Sequence, residues 1–181
     1  MDEIKFYGRG GQGAVVASVI LANAAFKEGK YVQAFPFYGI ERRGAPVAAY
    51  TRIDTKPIRV RGQIKTPNIV IVLDSCLVDM LDITQGLKPG GIIILNTGRD
   101  PKSFSFSKTF KAFACDANVI AVKYNLGSKT APIVNTAILG AFSKATGLVK
   151  LESIIKTFPE KISIRVEDNI NAAKEALKKA E

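Results

Sequence analysis

The pattern of apolar and polar positions along the chain predicts strands that alternate with helices. Short apolar runs bounded by glycine, proline or charged residues predict strands, and longer uncharged or amphipathic stretches predict helices. The predicted strands cover residues 4–7, 31–35, 45–53, 58–61, 68–73, 92–96 and 108–115. The predicted helices cover residues 12–26, 75–85, a short stretch after residue 116, 130–147 and 166–179. This order is typical of the α/β class.

The arrangement of the strands follows from the connections between them. A strand, a buried helix and a second strand over residues 4–35 predict a right-handed βαβ unit. A turn at 54–57 predicts a hairpin between 45–53 and 58–61, which makes the sheet mixed although mostly parallel. Since no repeat, linker or low-complexity segment interrupts the pattern, we expect one domain over residues 1–181, folded as a three-layer α/β/α sandwich.

Two of the predicted helices are apolar on more than one face. Residues 12–26 carry no charge, and residues 132–142 combine small residues on one face with large apolar residues on the others. A helix of this kind is covered on both sides, by the sheet and by a further layer or another chain. We expect some of this apolar surface to meet another subunit.

A glycine-rich loop between the first strand and the first helix is the first candidate ligand site. It consists of Gly8, Arg9, Gly10, Gly11, Gln12 and Gly13. Glycine lets an anion approach the main chain, and the following helix aims unpaired N–H groups at it. The spacing matches the GxGxxG dinucleotide motif, but the second strand lacks the carboxylate that would hold a ribose hydroxyl, which weakens NAD as the ligand. A tight turn without a ligand is the structural alternative.

The second candidate segment follows the second strand and should emerge at the same edge of the sheet. Its candidate residues are Tyr38, Glu41, Arg42, Arg43 and Gly44. Glu41 beside two arginines can form an ordinary surface ion pair. In the functional interpretation, Glu41 holds one arginine while the other binds an anion or a partner's carboxylate. We expect the glycine loop and this segment to contact one anion jointly, with a phosphate group as the favoured anion.

Charge and composition narrow the classes of function. The net charge of +10 fits an acidic partner subunit, a polyanionic cofactor or nucleic acid, and aromatic residues at 31, 35, 37 and 38 keep a basic nucleic-acid-binding module as an alternative. The absence of histidine excludes catalytic triads and histidine metal sites. Cys76 and Cys115 belong to no cluster-binding pattern, so we expect neither a metal site nor a catalytic residue on this chain. With no signal peptide or membrane span in the pattern, we expect a cytoplasmic location.

Five segments, in order, carry a resemblance to a known family. They are GRGGQG at 8–13, YGIERRGAP at 38–46, AAYTRID at 48–54, LKPGGIIILN at 87–96 and PIVNTAILGAF at 132–142. Through them the chain resembles the gamma subunit of pyruvate and 2-oxoisovalerate:ferredoxin oxidoreductases, equivalent to domain III of the fused enzymes. Together these segments are far more specific than GxGxxG alone. Relatives outside the pyruvate branch look like RGG where this chain has RGAP at 43–46, which favours pyruvate.

The resemblance implies a role in the anaerobic oxidative decarboxylation of a 2-oxoacid with coenzyme A to an acyl-CoA, with electrons delivered to ferredoxin. It implies alpha, beta and delta subunits that carry thiamine diphosphate, Mg²⁺ and 4Fe–4S clusters, for which this sequence has no motif. This chain would complete the assembly and help to form the coenzyme A side of the active site. A stand-alone dinucleotide-binding oxidoreductase is the alternative among enzymes.

Overall fold

Strands and helices alternate in the computed structural model, which describes residues 1–37 and 46–181. The strands are β1 (Asp2–Arg9), β2 (Tyr31–Phe37), β3 (Pro46–Asp54), β4 (Ile69–Val72), β5 (Ile92–Asn96) and β6 (Lys111–Cys115). The helices are α1 (Ala14–Lys27), α2 (Leu77–Met80), α3 (Ala117–Lys123), α4 (Ala137–Thr146), α5 (Leu151–Ile155), α6 (Phe158–Lys161) and α7 (Val166–Lys179). Two 3₁₀ turns, Pro101–Ser103 and Ser105–Lys108, precede β6.

The described strands form one six-stranded sheet in the order β2-β3-β1-β4-β5-β6. β1, β4, β5 and β6 pair in parallel, and β3 runs antiparallel to both of its neighbours, β1 and β2. The prediction of a mixed, mostly parallel sheet is therefore confirmed. Because β2 and β1 are both antiparallel to β3, they run in the same direction, and their carboxyl ends lie at one edge of the sheet.

The hairpin that makes the sheet mixed is not the predicted one. β3 pairs with β2, and residues 58–61 form no strand, so that prediction is wrong. The alternation of Ile58 and Val60 with arginines imitates a strand pattern, but the segment instead lies against the sheet through side-chain bonds. Arg52 donates to the carbonyl of Gly62 at 3.0 Å, and Gln33 donates to that of Ile58 at 3.3 Å.

Helices cover the two faces of the sheet unequally. Helices α1, α3, α4 and α7 enclose the larger core, which includes alternate residues of β1 and β4 such as Ile4 and Ile71. On the opposite face, Leu77 of α2 packs with Val70 and Val72 in a smaller core that also contains Phe104. The three-layer prediction is confirmed, with one layer built from long helices and the other from short helical turns.

Several helix boundaries differ from the prediction. α4 begins at Ala137 rather than near Pro132, because Pro132 forms an isolated antiparallel bridge with Gly127. Its end is as predicted, since Gly147 adopts a left-handed φ of 61° after the last turn. The helix expected over 75–85 is only Leu77–Met80, and the strand expected to start at 108 starts at Lys111, after a 3₁₀ turn. α7 has the predicted bounds.

The two helices expected to be covered on both sides have different surroundings. Every residue of α4 from Ala137 to Ser143 is buried, and a Cβ on Gly140 would lie only 2.0 Å from the carbonyl oxygen of Ala173 on α7. The small face of α4 therefore serves close packing inside this chain, and the expectation that some of the apolar surface of the two helices meets another subunit stays a prediction. α1 does expose apolar side chains, at Val16 and Phe26. Among the described residues, no helix combines the length and apolar character that crossing a membrane requires.

Candidate functional site

The connections that leave β1 and β4 diverge to opposite faces of the sheet. β1 leads into α1, which packs in the larger core, whereas β4 leads into α2, whose Leu77 packs in the smaller core. β1 and β4 are neighbours, so their carboxyl ends border a crevice between the two connections. In open α/β sheets, such a point is where ligands bind. The glycine loop lies on one side of this crevice, and residues 73–76 lie on the other.

Glycine is required at the point where this loop becomes α1. Gly13 is the residue before the helix and has a φ of 81°, a left-handed conformation that other residues adopt at a cost. A Cβ at this position would lie 2.5 Å from Nδ2 of Asn135. Gly11 has a φ of 98° but no neighbour within 4 Å of its Cβ position, so the backbone there is open. The loop is therefore both tightly turned and accessible.

The N-terminus of α1 behind the loop carries no compensating group. No side chain caps it, and its first turn contains no acidic residue. The first N–H groups of a helix have no partner within the helix, and together with the helix dipole they favour an anion. A glycine turn in front of an uncapped helix start is thus present over residues 10–13, while Gly8 and Arg9 form the end of β1.

Arg9 and Gln12 of the loop are joined to a carboxylate that the sequence analysis did not select. Arg9 Nε lies 2.9 Å from Asp74 Oδ2, a charge contact in which the N–H does not point at the oxygen. Gln12 Nε2 donates to the same oxygen at 3.1 Å, while Gln12 Oε1 accepts the backbone N–H of Arg9 at 2.8 Å. These bonds brace the loop. They also direct Arg9 toward Asp74, so its positive charge is partly balanced before any anion binds.

A signal for Asp74 was present in the sequence. It is the first polar residue after the buried run that forms β4, and such positions lie at the ligand-binding edge of a parallel sheet. Its pairing with Arg9 depends on β4 lying beside β1, which the sequence pattern does not state. Asp74 Oδ1 also accepts the backbone N–H of Cys76 at 3.0 Å, which fixes the carboxylate in place.

The crevice continues into a cleft of about 460 Å³. Gln12 and Asp74 form one wall, Asn118 and Val119 of α3 form another, and Lys129 contributes a cation. The end of β5 supports the α3 wall. Asn96 donates to the carbonyl of Leu73 at 2.8 Å and to Asn118 at 3.1 Å, and its Oδ1 accepts the N–H of Ala117 at 2.9 Å.

The second predicted segment cannot be placed. Tyr38, Glu41, Arg42, Arg43 and Gly44 all lie outside the described residues. The nearest described residues on either side are the ends of two strands at the crevice edge, Phe37 of β2 and Pro46 of β3. Pro46 pairs with Arg9 in the β1–β3 register. Joint contact of both segments with one phosphate thus stays a prediction.

The described residues offer the crevice hydrogen-bond donors and charge rather than an activated nucleophile. Cys115 is buried, and this burial, with a smaller effect of Asp116, raises the pKa of its thiol to about 11. Cys76 is exposed just beyond Asp74. Residues 1–37 and 46–181 contain no cluster of histidine, cysteine, aspartate or glutamate suited to a metal ion. The chemistry that this geometry supports is recognition of an anion.

Comparison with known proteins gives a consistent result over the whole length. The family model described as pyruvate ferredoxin/flavodoxin oxidoreductase matches residues 3–179. The chain is 56% identical over 183 residues to the pyruvate/ketoisovalerate oxidoreductases common subunit gamma of Thermococcus kodakarensis, with 99% of this chain and 97% of that protein covered. It is 52% identical to pyruvate synthase subunit PorC of Methanothermobacter marburgensis, with the same coverage. The crystal structure of pyruvate oxidoreductase subunit PORC from Thermotoga maritima matches with a TM-score of 0.82 at 37% identity, over 99% of this chain and 97% of that one.

Proposed function

Because the chain belongs to the pyruvate ferredoxin/flavodoxin oxidoreductase family, we propose that it is the gamma subunit of a pyruvate:ferredoxin oxidoreductase. The complex decarboxylates the 2-oxoacid oxidatively, transfers the acyl group to coenzyme A and reduces ferredoxin. Similarity to subunits named for pyruvate supports this substrate, as does RGAP at 43–46. The chain acts in the complex as a single domain, and the complex works in the cytoplasm, where ferredoxin and coenzyme A are available.

The reaction is divided among subunits in this proposal. The alpha, beta and delta subunits hold thiamine diphosphate, Mg²⁺ and the iron–sulfur clusters, since this sequence has no motif for them. The gamma subunit completes the assembly and binds the phosphate groups of coenzyme A. Coenzyme A supplies the thiol that accepts the acyl group, and the residues of this chain hold and orient its polyanionic end.

The observation that carries the coenzyme A proposal is the uncapped N-terminus of α1 behind a glycine turn, at the point where the connections of the sheet diverge. A phosphate fits this position because backbone N–H groups can reach it without a Cβ in the way. Arg42 and Arg43 belong to a segment whose flanking strands end at the same edge, and arginine binds phosphate through a planar pair of donors. The crevice and Lys129 leave room for the remainder of the ligand.

Replacing Arg43 with alanine in the assembled complex tests this role. Loss of a charge-assisted contact should raise the KM for coenzyme A by about 10- to 150-fold and leave the KM for pyruvate nearly unchanged. Arg59→Ala is the control, because Arg59 is an exposed arginine of the segment that lies against the sheet, away from the crevice edge. If Arg43→Ala leaves coenzyme A kinetics untouched, Arg43 pairs with another subunit and the ligand site should be abandoned.

Activity of the isolated chain tests the division of labour. Purified chain supplied with pyruvate, coenzyme A, thiamine diphosphate and a viologen dye should show no turnover, whereas the complex should reduce the dye. Turnover by the chain alone at the rate of the complex would contradict the proposal. Tight binding of NAD by the chain would favour a stand-alone dinucleotide-binding oxidoreductase. Binding of nucleic acid that weakens steeply with salt would favour a basic nucleic-acid-binding module.

A further inference from the structure

A second depression lies beside the start of α1, separate from the crevice. We call it the Asn135 pocket; it is a cavity of about 220 Å³ lined by Val16, Leu126, Ile133, Asn135, Lys161 and residues 162–165. Most of this lining is apolar. Three of its apolar side chains are also well exposed at the surface, with 40% of Val16, 39% of Ile133 and 70% of Ile164 accessible. Exposed apolar groups collected around a cavity mark an interaction site rather than ordinary surface.

The polar end of this pocket is incomplete. Asn135 is only 7% exposed, and its Oδ1 accepts no hydrogen bond from any described residue. A buried acceptor without a partner costs free energy, and native proteins seldom keep one unless something satisfies it. The side chain is held against Gly13, at the boundary with the crevice. The residue at the polar end of the pocket is therefore a buried carboxamide whose oxygen receives no donor from the described residues.

The rim of the pocket is positive. The charged residues that line it are Lys161 and Arg165, and no acidic residue lines it among the described residues. Arg165 pairs with Asp168 at 3.3 Å, but both side chains are exposed, so this pair holds the arginine weakly. Arg165 also has a φ of 51°, a conformation that strains a residue other than glycine. Strained backbone of this kind is concentrated at functional sites.

The apolar surface extends beyond the pocket along α1. Val16, Val19, Asn23 and Phe26 follow helical spacing on the outward side of α1, and none of the four is buried. At about 1.5 Å per residue, this stripe is roughly 15 Å long. A small molecule that filled the pocket would leave the stripe uncovered. A protein segment can cover both, and since two copies of this chain would bring like-charged rims together, an acidic partner is favoured over self-association.

From these features we infer that the Asn135 pocket and the α1 stripe form the docking surface for an acidic segment of another subunit of the oxidoreductase. An apolar side chain of that segment fills the pocket, one of its N–H or O–H groups donates to Asn135, and its carboxylates pair with Lys161 and Arg165. This inference rests on the proposed function, because it requires partner subunits.

The experiment compares retention of identified catalytic subunits by tagged versions of this chain, co-expressed with the other subunits of its oxidoreductase. Ile164→Arg places charge at the mouth of the pocket and should lower retention at least tenfold. Val60→Arg is the matched control, since Val60 is 52% exposed and belongs to the segment on the opposite face of the sheet. The double variant Lys161→Glu with Arg165→Glu should also lower retention, and an acidic residue at the start of α7 does not oppose the helix dipole.

Each outcome has a defined meaning. If the unaltered chain retains the subunits and the pocket variants retain them equally, the docking surface is wrong while the proposed function stands. If the unaltered chain retains none of them, the proposed function fails and the inference fails with it. Sedimentation that shows a dimer of the unaltered chain, lost in Ile164→Arg, would overturn the acidic partner in favour of a second copy. Loss of the subunits in both pocket variants, but not in Val60→Arg, would support the inference.

Discussion

The crevice and the Asn135 pocket lie on either side of the start of α1, yet their polar groups differ in how far other residues of the chain hold them. In the crevice, Arg9 and Gln12 already contact Asp74, and Asp74 is fixed by the N–H of Cys76. In the pocket, the carboxamide oxygen of Asn135 is buried without a partner among the described residues, and the surrounding surface is mostly apolar. Each region therefore keeps one buried polar atom without a hydrogen bond among the described residues, but Arg9 Nε in the crevice has a carboxylate 2.9 Å away, whereas Asn135 Oδ1 in the pocket has no charged partner.

The difference indicates two kinds of occupant. A site whose side chains are already held in place suits a small ligand, because little ordering is needed when the ligand arrives. A site with exposed apolar groups and an unpaired buried acceptor suits a surface that remains in place and excludes water. Gly13 is the boundary between the two, since it begins α1 on the crevice side and packs against Asn135 on the pocket side.

Gly13→Ala should cause the largest change, because it disturbs both regions. The left-handed φ of 81° costs an alanine about 1–2 kcal/mol, and its Cβ would lie 2.5 Å from Asn135 Nδ2. Displacing Asn135 adds a similar amount, so we expect the free energy of unfolding of the chain to fall by about 2–4 kcal/mol. Urea unfolding followed by circular dichroism measures it.

Gly11→Ala is the matched control for this prediction. Gly11 has a similar backbone conformation, with a φ of 98°, but no atom lies within 4 Å of its Cβ position. We therefore expect only the strain of about 1–2 kcal/mol. Equal losses of unfolding free energy in Gly13→Ala and Gly11→Ala would mean that the contact with Asn135 adds no cost at residue 13. Gly13 would then not link the crevice to the pocket.

Much of this fold could be predicted because the decisive signals are local. The buried run of β4, the uncharged stretch of α1 and the single apolar stripe of α7 each identify an element by its own periodicity. The errors arose where distant contacts decide. Residues 58–61 alternate like a strand, but Gln33 bonds Ile58 and Arg52 bonds the following Gly62, so the segment lies against the sheet. Pro132 is kept out of α4 by its bridge to Gly127.

In the candidate site, too, features with a local signal were predicted and features that depend on distant contacts were not. The glycine loop was recognisable because the glycines that its backbone conformation requires lie close together in the sequence. The role of Asp74 was not, because its contact with Arg9 spans the chain and depends on β1 and β4 being neighbours. The Asn135 pocket was missed for a similar reason, since its walls come from α1, the segment before α4 and the start of α7.

Asp74→Asn removes the carboxylate partner of Arg9 and so tests the crevice separately from the pocket. The variant keeps the shape of the side chain and an acceptor for Cys76 N–H, but removes the negative charge beside Arg9 Nε. If the crevice binds phosphate, the affinity of the assembled complex for coenzyme A should rise about fivefold, which corresponds to about 1 kcal/mol. Isothermal titration calorimetry measures this affinity.

Asp79→Asn is the control for the crevice variant. Asp79 is an exposed carboxylate on the neighbouring α2, so its removal changes the net charge by the same amount near the same edge. We expect little change in affinity from this variant. Weaker binding in Asp74→Asn would instead show that the carboxylate positions the loop, and that bracing outweighs charge at this site.

Glu175→Gln should cause the smallest change in stability. It tests whether the hydrogen bonds and ion pairs of Glu175 help to hold α7 against α3. Glu175 on α7 accepts hydrogen bonds from Lys123 at 2.6 Å and from Tyr124 at 2.9 Å, both at the end of α3, and Lys179 lies 2.7 Å from its other oxygen. The bonds from Lys123 and then Lys179 lower the pKa of Glu175 to about 2 from 4.5, against a smaller opposing effect of desolvation. α3 lines the crevice and α7 lines the pocket.

The sign of the pH dependence follows from the direction of this shift. A carboxyl group whose pKa is lower in the folded chain stabilises it while ionised, so the contribution is complete above about pH 4.5 and is lost as the pH falls toward 2. Because the two lysines are exposed, we expect Glu175→Gln to lower the free energy of unfolding by only about 1 kcal/mol at pH 7. Thermal unfolding of both proteins between neutral and acidic pH should show this difference shrink, while Glu152→Gln, at an exposed position in the first turn of α5, should show only the smaller loss of a favourable helix-dipole contact. A difference that stays constant down to acidic pH would mean that the charge of Glu175 contributes nothing, and that α3 and α7 are held together by packing alone.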